Sequence, residues 1–150
     1  MRYEWAHLNK LQKGSYGVHF AKMEFAMRGF LVFTSDVDDR GIDFVVRNDN
    51  GKHFDIQVKA ITDKNYTYIK QSKFAPSLWV TLIVLKARLE PRLYLLNRPD
   101  WDVNKTGLLK LNKYPGAKEA EYGIFLADKR QEELEGFAFH KRIEALVAAK

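Results

Sequence analysis

Three residues in this chain combine the types and spacing that hydrolytic chemistry needs: Asp43, in the run Gly41-Ile42-Asp43, and Gln57 and Lys59, in the run Gln57-Val58-Lys59. A carboxylate and an amide oxygen are hard donors suited to Mg²⁺ or Mn²⁺, ions that keep several waters and need few protein ligands. An ammonium beside them can orient or help deprotonate a water, and can offset the charge that builds on a phosphoryl group under attack. Together these are the parts of a phosphodiester-hydrolysing site. The same spacing also describes a strand with one wet face, on which Asp43, Gln57 and Lys59 would be a solvated surface with a cross-strand ion pair. Spacing alone leaves both readings open.

The element that must position these residues is a β-hairpin. Residues 42–47 and 53–59 read as two strands joined by the turn Asn48-Asp49-Asn50-Gly51, a glycine-bearing signal for a tight connection. Side chains alternate across a strand, so Gln57 and Lys59 share a face, and the hairpin register can bring Asp43 opposite them. Ile56 and Val58 then face the core. A lysine in such an apolar strand needs either solvent or a carboxylate such as Asp43, because an unpaired buried charge is costly.

Around the hairpin, apolar spacing predicts a helix over 8–29 that ends at Gly29. Gly14 and Gly17 weaken its first turns, so regular helix is expected only from about Ser15, with the glycines admitting another backbone closely. Strands are expected at 30–34, 66–69, 78–85, 93–96 and 122–126, in a sheet paired mostly between sequence neighbours. A polar segment spans 97–121, and a charged helix is expected from about Arg130, broken near Gly136. The class is α/β, and 1–150 reads as one domain.

The net charge of +6 and pI near 9.4 favour polyanionic partners such as nucleic acid. The chain has no cysteine, which excludes a thiol nucleophile and thiolate metal sites. No apolar run approaches the length of a membrane span, and the N-terminal residues lack the apolar segment of a signal peptide, so a cytoplasmic protein with no membrane role is expected.

The run GIDFVV, a turn, then IQVK resembles the hallmark of the PD-(D/E)XK nuclease superfamily, with Ile42-Asp43 at the Pro-Asp pair and Gln57-Val58-Lys59 at the (D/E)-x-K triplet in its glutamine variant. A helix ending at Gly29, followed by a strand over 30–34, resembles the small Holliday-junction-resolvase-like members, and the likeness covers about residues 14–60. It implies a restriction-endonuclease-like core, a mixed central β-sheet flanked by helices. It also implies metal ligation by Asp43, the Gln57 side chain and the Val58 carbonyl, with Lys59 as the catalytic lysine. The cofactor would be Mg²⁺ or Mn²⁺, the partner DNA, and the assembly a homodimer.

One element departs from that pattern. Many relatives carry a glutamate on the first helix at the position that Val18 occupies here. Glu24 lies on another side of the helix, and His19 beside Val18 is expected in packing or at the surface rather than as a ligand. Asp36, Asp38 and Asp39 are turn formers that can support the site from outside. Lys64, Lys70, Lys73 and Arg88, interleaved with Tyr66, Tyr68 and Trp79, could offer cations and rings to a nucleic acid strand, although for any single one of them a solvated sheet edge over core aromatics is the simpler explanation. The functional expectation is a metal-dependent nuclease acting on DNA. The alternative is a nuclease-like domain that has lost cleavage and serves binding or assembly.

Overall fold

In a computed structural model, residues 2–34, 41–62, 65–104 and 107–150 are described. Asn9 starts the first helix, α1 (Lys10–Met27), with a reciprocal capping box: its side chain accepts from the Gln12 N–H at 2.8 Å, and the Gln12 side chain accepts from the Asn9 N–H at 2.9 Å. That cap satisfies two of the otherwise unpaired N–H groups of the first turn. It is why the helix begins at Lys10, five residues before the expected Ser15, and runs unbroken through Gly14 and Gly17. At the other end Gly29 adopts φ +91°, with Gly29 N–H bonded to the Ala26 carbonyl and Phe30 N–H to the Phe25 carbonyl. This is a Schellman closure, and Phe25 packs edge-on against Phe30 across it.

Strands β1 (Leu31–Thr34), β2 (Phe44–Arg47), β3 (His53–Thr62), β5 (Leu78–Leu85) and β6 (Arg92–Asn97) form a five-stranded sheet in the order β1-β2-β3-β5-β6. The β2–β3 hairpin forms as expected, closed by Gly51 at φ +84°. Asn48 in that turn is buried, and its side-chain amide donates to the carbonyls of Leu146 and Ala149, which ties the turn to the end of α3 (Phe139–Ala148).

Pairing in this sheet is mostly between sequence neighbours, as expected, at β1–β2, β2–β3 and β5–β6, but β3 runs parallel to β5 from Asp55↔Leu78 to Thr62↔Leu85, making a mixed sheet. Furthermore, β4 (Tyr66–Lys70) leaves that sheet and pairs with β8 (Glu121–Phe125), which pairs with β7 (Leu109–Asn112) in a second, antiparallel sheet. The polar segment 97–121 thus contains β7, and also α2 (Arg98–Asn104). An Asn97–Asp100 capping box starts α2 and delivers Trp101 to the core, where it is 2% exposed. The C-terminal helix is likewise later than expected: a 3-10 stretch occupies Asp128–Phe137, and regular helix begins only at Phe139, after Ala138 bridges to Tyr94.

The central sheet is buried on both faces. One face, carrying Phe44, Val46, Ile56, Ile83 and Leu95, packs under α1 and α3. The opposite face, carrying Val80, Leu82, Val84 and Leu96, packs against Tyr122 and Ile124 of the second sheet and Trp101 of α2. By strand alternation Gln57 and Lys59 lie on this second face, at the border of the second sheet.

Candidate active site

Asp43 precedes β2, where its backbone N–H donates to the Ile56 carbonyl at 2.8 Å and extends the hairpin by one bond. Its side chain turns along β3, and Oδ2 accepts from the Val58 N–H at 2.6 Å. The N–H and C=O of one strand residue point to the same side, so the Val58 carbonyl also faces this position, beyond the last β2–β3 pair at Phe44↔Ile56. Gly41, at φ +71°, lies against the Gln57 amide; a Cβ there would sit 3.4 Å from Gln57 Nε2. Glycine at 41 therefore provides both the left-handed turn and the room for Gln57.

The Asp43 side chain thus bonds to β3 at Val58, between Gln57 and Lys59. Among the described residues, Gln57 Oε1 is a buried side-chain oxygen without a hydrogen-bond partner. Such a group costs free energy unless something satisfies it. Burial pulls the Lys59 pKa below the ordinary lysine value; the Asp43 carboxylate opposes this, while the positive charges of Lys10 and Lys73 add to it. The opposite charge that a half-buried lysine needs nearby is supplied by Asp43.

Gln57, Val58 and Lys59, with Gly41, line a cleft of about 620 Å³ between the N-terminal half of α1 and β4, and Asp43 adjoins it through its bond to Val58. Lysines 10, 13, 59, 70 and 73 all border it. Lys10 and Lys13 were not singled out from the sequence, although the signal was present. Lys10, Lys13, Gly14, Gly17 and Ala21 form one i, i+3, i+4 stripe, and Gly17 is where the helix touches the sheet, since a Cβ there would lie 3.2 Å from Ala60 Cβ.

Val18, four residues after Gly14 and three before Ala21, adjoins that stripe and packs, partly buried, against the core beneath α1. The α1 residues facing the cleft are Lys10, Lys13 and Gly14, so α1 presents no acid to it. Glu24 lines a different cavity, with Glu90, Arg92 and His140, and His19 is exposed. Lys70 and Lys73 reach the cleft, as do Tyr66 and Tyr68. Arg88 instead pairs with Glu4 at 3.5 Å, and Trp79 stacks under Arg142 with 5.3 Å between cation and ring, so neither belongs to this site. Asp36, Asp38, Asp39 and Lys64 lie outside the described residues.

The donor set fits a hard divalent cation. It consists of the Asp43 carboxylate, the unpartnered Gln57 oxygen and a backbone carbonyl, all oxygen. Among the described residues no group of three His, Cys, Asp or Glu side chains converges anywhere. With Asp43 as the one carboxylate in that donor set, a cation held here would keep much of its charge for phosphate oxygens.

No protein-family model matches the chain, and no curated protein sequence matches it. Its fold does match a solved structure, that of the bacterial homing endonuclease I-Ssp6803I, with a TM-score of 0.56 over 93% of this chain and 96% of that one, at 16% sequence identity. The chain therefore has a nuclease-like α/β fold, a mixed central sheet flanked by helices. Among the described residues no helix is long and apolar enough to cross a membrane.

Proposed function

We propose that this chain is a divalent-metal-dependent nuclease hydrolysing DNA phosphodiester bonds, with 1–150 acting as one nuclease-like unit. The observation that carries this reading is the Asp43 carboxylate, just ahead of β2, bonded to Val58 between the unpartnered Gln57 oxygen and the half-buried Lys59, both of which line a cleft rich in lysine. The shared fold with a homing endonuclease supports it.

In this reading Asp43, Gln57 and the Val58 carbonyl would hold Mg²⁺ or Mn²⁺. The ion supplies Lewis-acid stabilisation of a phosphate oxygen and makes a water more acidic. The Val58 N–H fixes Asp43 in orientation through the 2.6 Å bond, so the carboxylate is pre-set rather than recruited. Lys59, with its pKa lowered by burial, is suited to hold a proton loosely beside the attacked phosphate and to offset charge as the bond breaks. Lys10, Lys13, Lys70 and Lys73 bind the flanking phosphates.

The test is cleavage of labelled single-stranded, duplex and branched DNA with Mg²⁺ or Mn²⁺ by the wild type, Asp43→Ala and Lys59→Ala at matched purity. Metal-dependent cutting that disappears in both variants supports the assignment; equal cutting by all three overturns it. One observation favours a second reading, a nuclease-like module that binds DNA without cutting: α1 presents Lys10 and Lys13 to the cleft and no acid. Salt-sensitive DNA binding with no cleavage under any divalent metal would select that reading.

A further inference from the structure

The outer face of the second sheet carries a group of rings that the cleft chemistry does not use. Along β4, Ile69 is buried against the central sheet while Tyr66, Tyr68 and Lys70 alternate to the outside; along β8, Tyr122 and Ile124 are buried while Glu121 and Phe125 alternate outward. The register sets Tyr66 opposite Phe125, Tyr68 opposite Gly123, and Lys110 of β7 on the far side of Gly123. Tyr68 is 44% exposed, Phe125 48%, and Tyr114, just after β7, 51%. Such a run of exposed rings on one sheet face is unusual in a surface that only meets water.

The rings are held rather than loosely displayed. Tyr66 and Tyr68 stack with centroids 5.9 Å apart and planes 23° apart. The Tyr66 ring lies across Gly123, where a Cβ would stand 2.2 Å from its hydroxyl oxygen and 2.7 Å from two ring carbons. Its hydroxyl donates to Glu121 Oε2 at 2.6 Å and accepts from the Asn112 amide at 3.4 Å. Glu121, the acid on this face, is therefore committed to fixing Tyr66, while Lys70 and Lys110 remain exposed at the margins.

We propose that this face is a stacking platform for an unpaired DNA strand, with bases laid on Tyr68 and Phe125 and phosphates near Lys70 and Lys110. The proposal rests on the nuclease reading above, and it names the substrate class as DNA with a single-stranded segment next to the cut site. Two observations select this occupant. The margins are cationic and the centre is aromatic rather than aliphatic, which matches the faces of bases strung on a phosphate backbone. In addition, β4 belongs to both places: Tyr66, Tyr68 and Lys70 of its outer face also border the cleft lined by Gln57 and Lys59, so a strand crossing one continues into the other. A duplex keeps its bases stacked on one another and gains little from exposed rings.

The experiment is fluorescence anisotropy with a labelled single-stranded oligodeoxynucleotide and the matching duplex, in EDTA so that nothing is cut, for the wild type, Tyr68→Ala, Phe125→Ala and Tyr68→Trp. Tyr68→Ala and Phe125→Ala should each weaken single-strand binding about tenfold while changing duplex binding less than about twofold, and Tyr68→Trp should bind the single strand as the wild type does. Unchanged single-strand binding in both alanine variants overturns the platform, as does an equal loss for both DNA forms. The two readings fail separately. If the wild type cuts DNA with Mg²⁺ but the alanine variants bind single strands normally, only the platform falls; if nothing is cut yet single-strand binding depends on Tyr68 and Phe125, only the nuclease assignment falls.

Discussion

The 2.6 Å hydrogen bond from the Val58 N–H to Asp43 Oδ2 joins a residue placed just ahead of β2 to the middle of β3. It makes Asp43 structural as well as chemical, because the bond continues the hairpin ladder with a side chain where the backbone of β2 has ended. The two roles can be separated by the choice of substitution.

Asp43→Ala leaves the part-buried Val58 N–H without its acceptor and should lower stability by about 1–3 kcal/mol, whereas Asp43→Asn keeps an oxygen there and should cost less. Both should abolish metal-dependent cleavage. Urea unfolding alongside the cleavage assay checks this; an Asn variant that cuts like the wild type would remove Asp43 from the chemistry.

Lys59 has a folded-state pKa below its ordinary 10.5, with burial as the main cause. The unfolded chain therefore binds the proton more tightly, and the lysine's burden on stability is fully present below the folded pKa and fades as pH rises from there towards 10.5. Lys59→Met should raise the Tm at pH 7 while eliminating cleavage, and its advantage over the wild type should shrink in that alkaline window. Calorimetry across the pH series reads this directly, and a gain that grows with pH would refute the account.

The two glycines of α1 should respond oppositely. At Gly14 an added Cβ meets nothing within 4 Å, so Gly14→Ala should stabilise by about 0.5–1 kcal/mol through helix propensity. At Gly17 even a Cβ is 3.2 Å from Ala60 and 3.4 Å from Ile83, so Gly17→Val should cost about 1–3 kcal/mol by forcing α1 off the sheet. Thermal unfolding of both variants would show whether the helix docks where described.

Lys10 and Lys13 border the cleft from α1. If they contact phosphates, each substitution by alanine should reduce the slope of log affinity against log salt by about one and leave stability nearly unchanged. DNA binding titrated at several salt concentrations tests this, and a slope identical to the wild type would place the DNA elsewhere.

The sequence by itself determined what depends on near neighbours. Alternation and the Asn48–Gly51 turn fix the hairpin and put Gln57 and Lys59 on one face, and Gly29 at the left-handed position ends α1 where the periodicity stops. Those same signals allow Asp43 to stand opposite Gln57 and Lys59 across the hairpin. Tertiary structure alone decided which distant segments complete the site. The parallel pairing of β3 with β5, the departure of β4 into a second sheet with β8, and the docking of α1 through Gly17 are choices among many apolar segments that could pair or pack. Each is settled by which arrangement buries the most apolar surface at once, a property of the whole chain that no local pattern encodes. That is why Lys10 and Lys13 read as ordinary helix lysines until α1 is seen to lie along the cleft, and why Tyr66 and Tyr68 read as core candidates until β4 turns them outward.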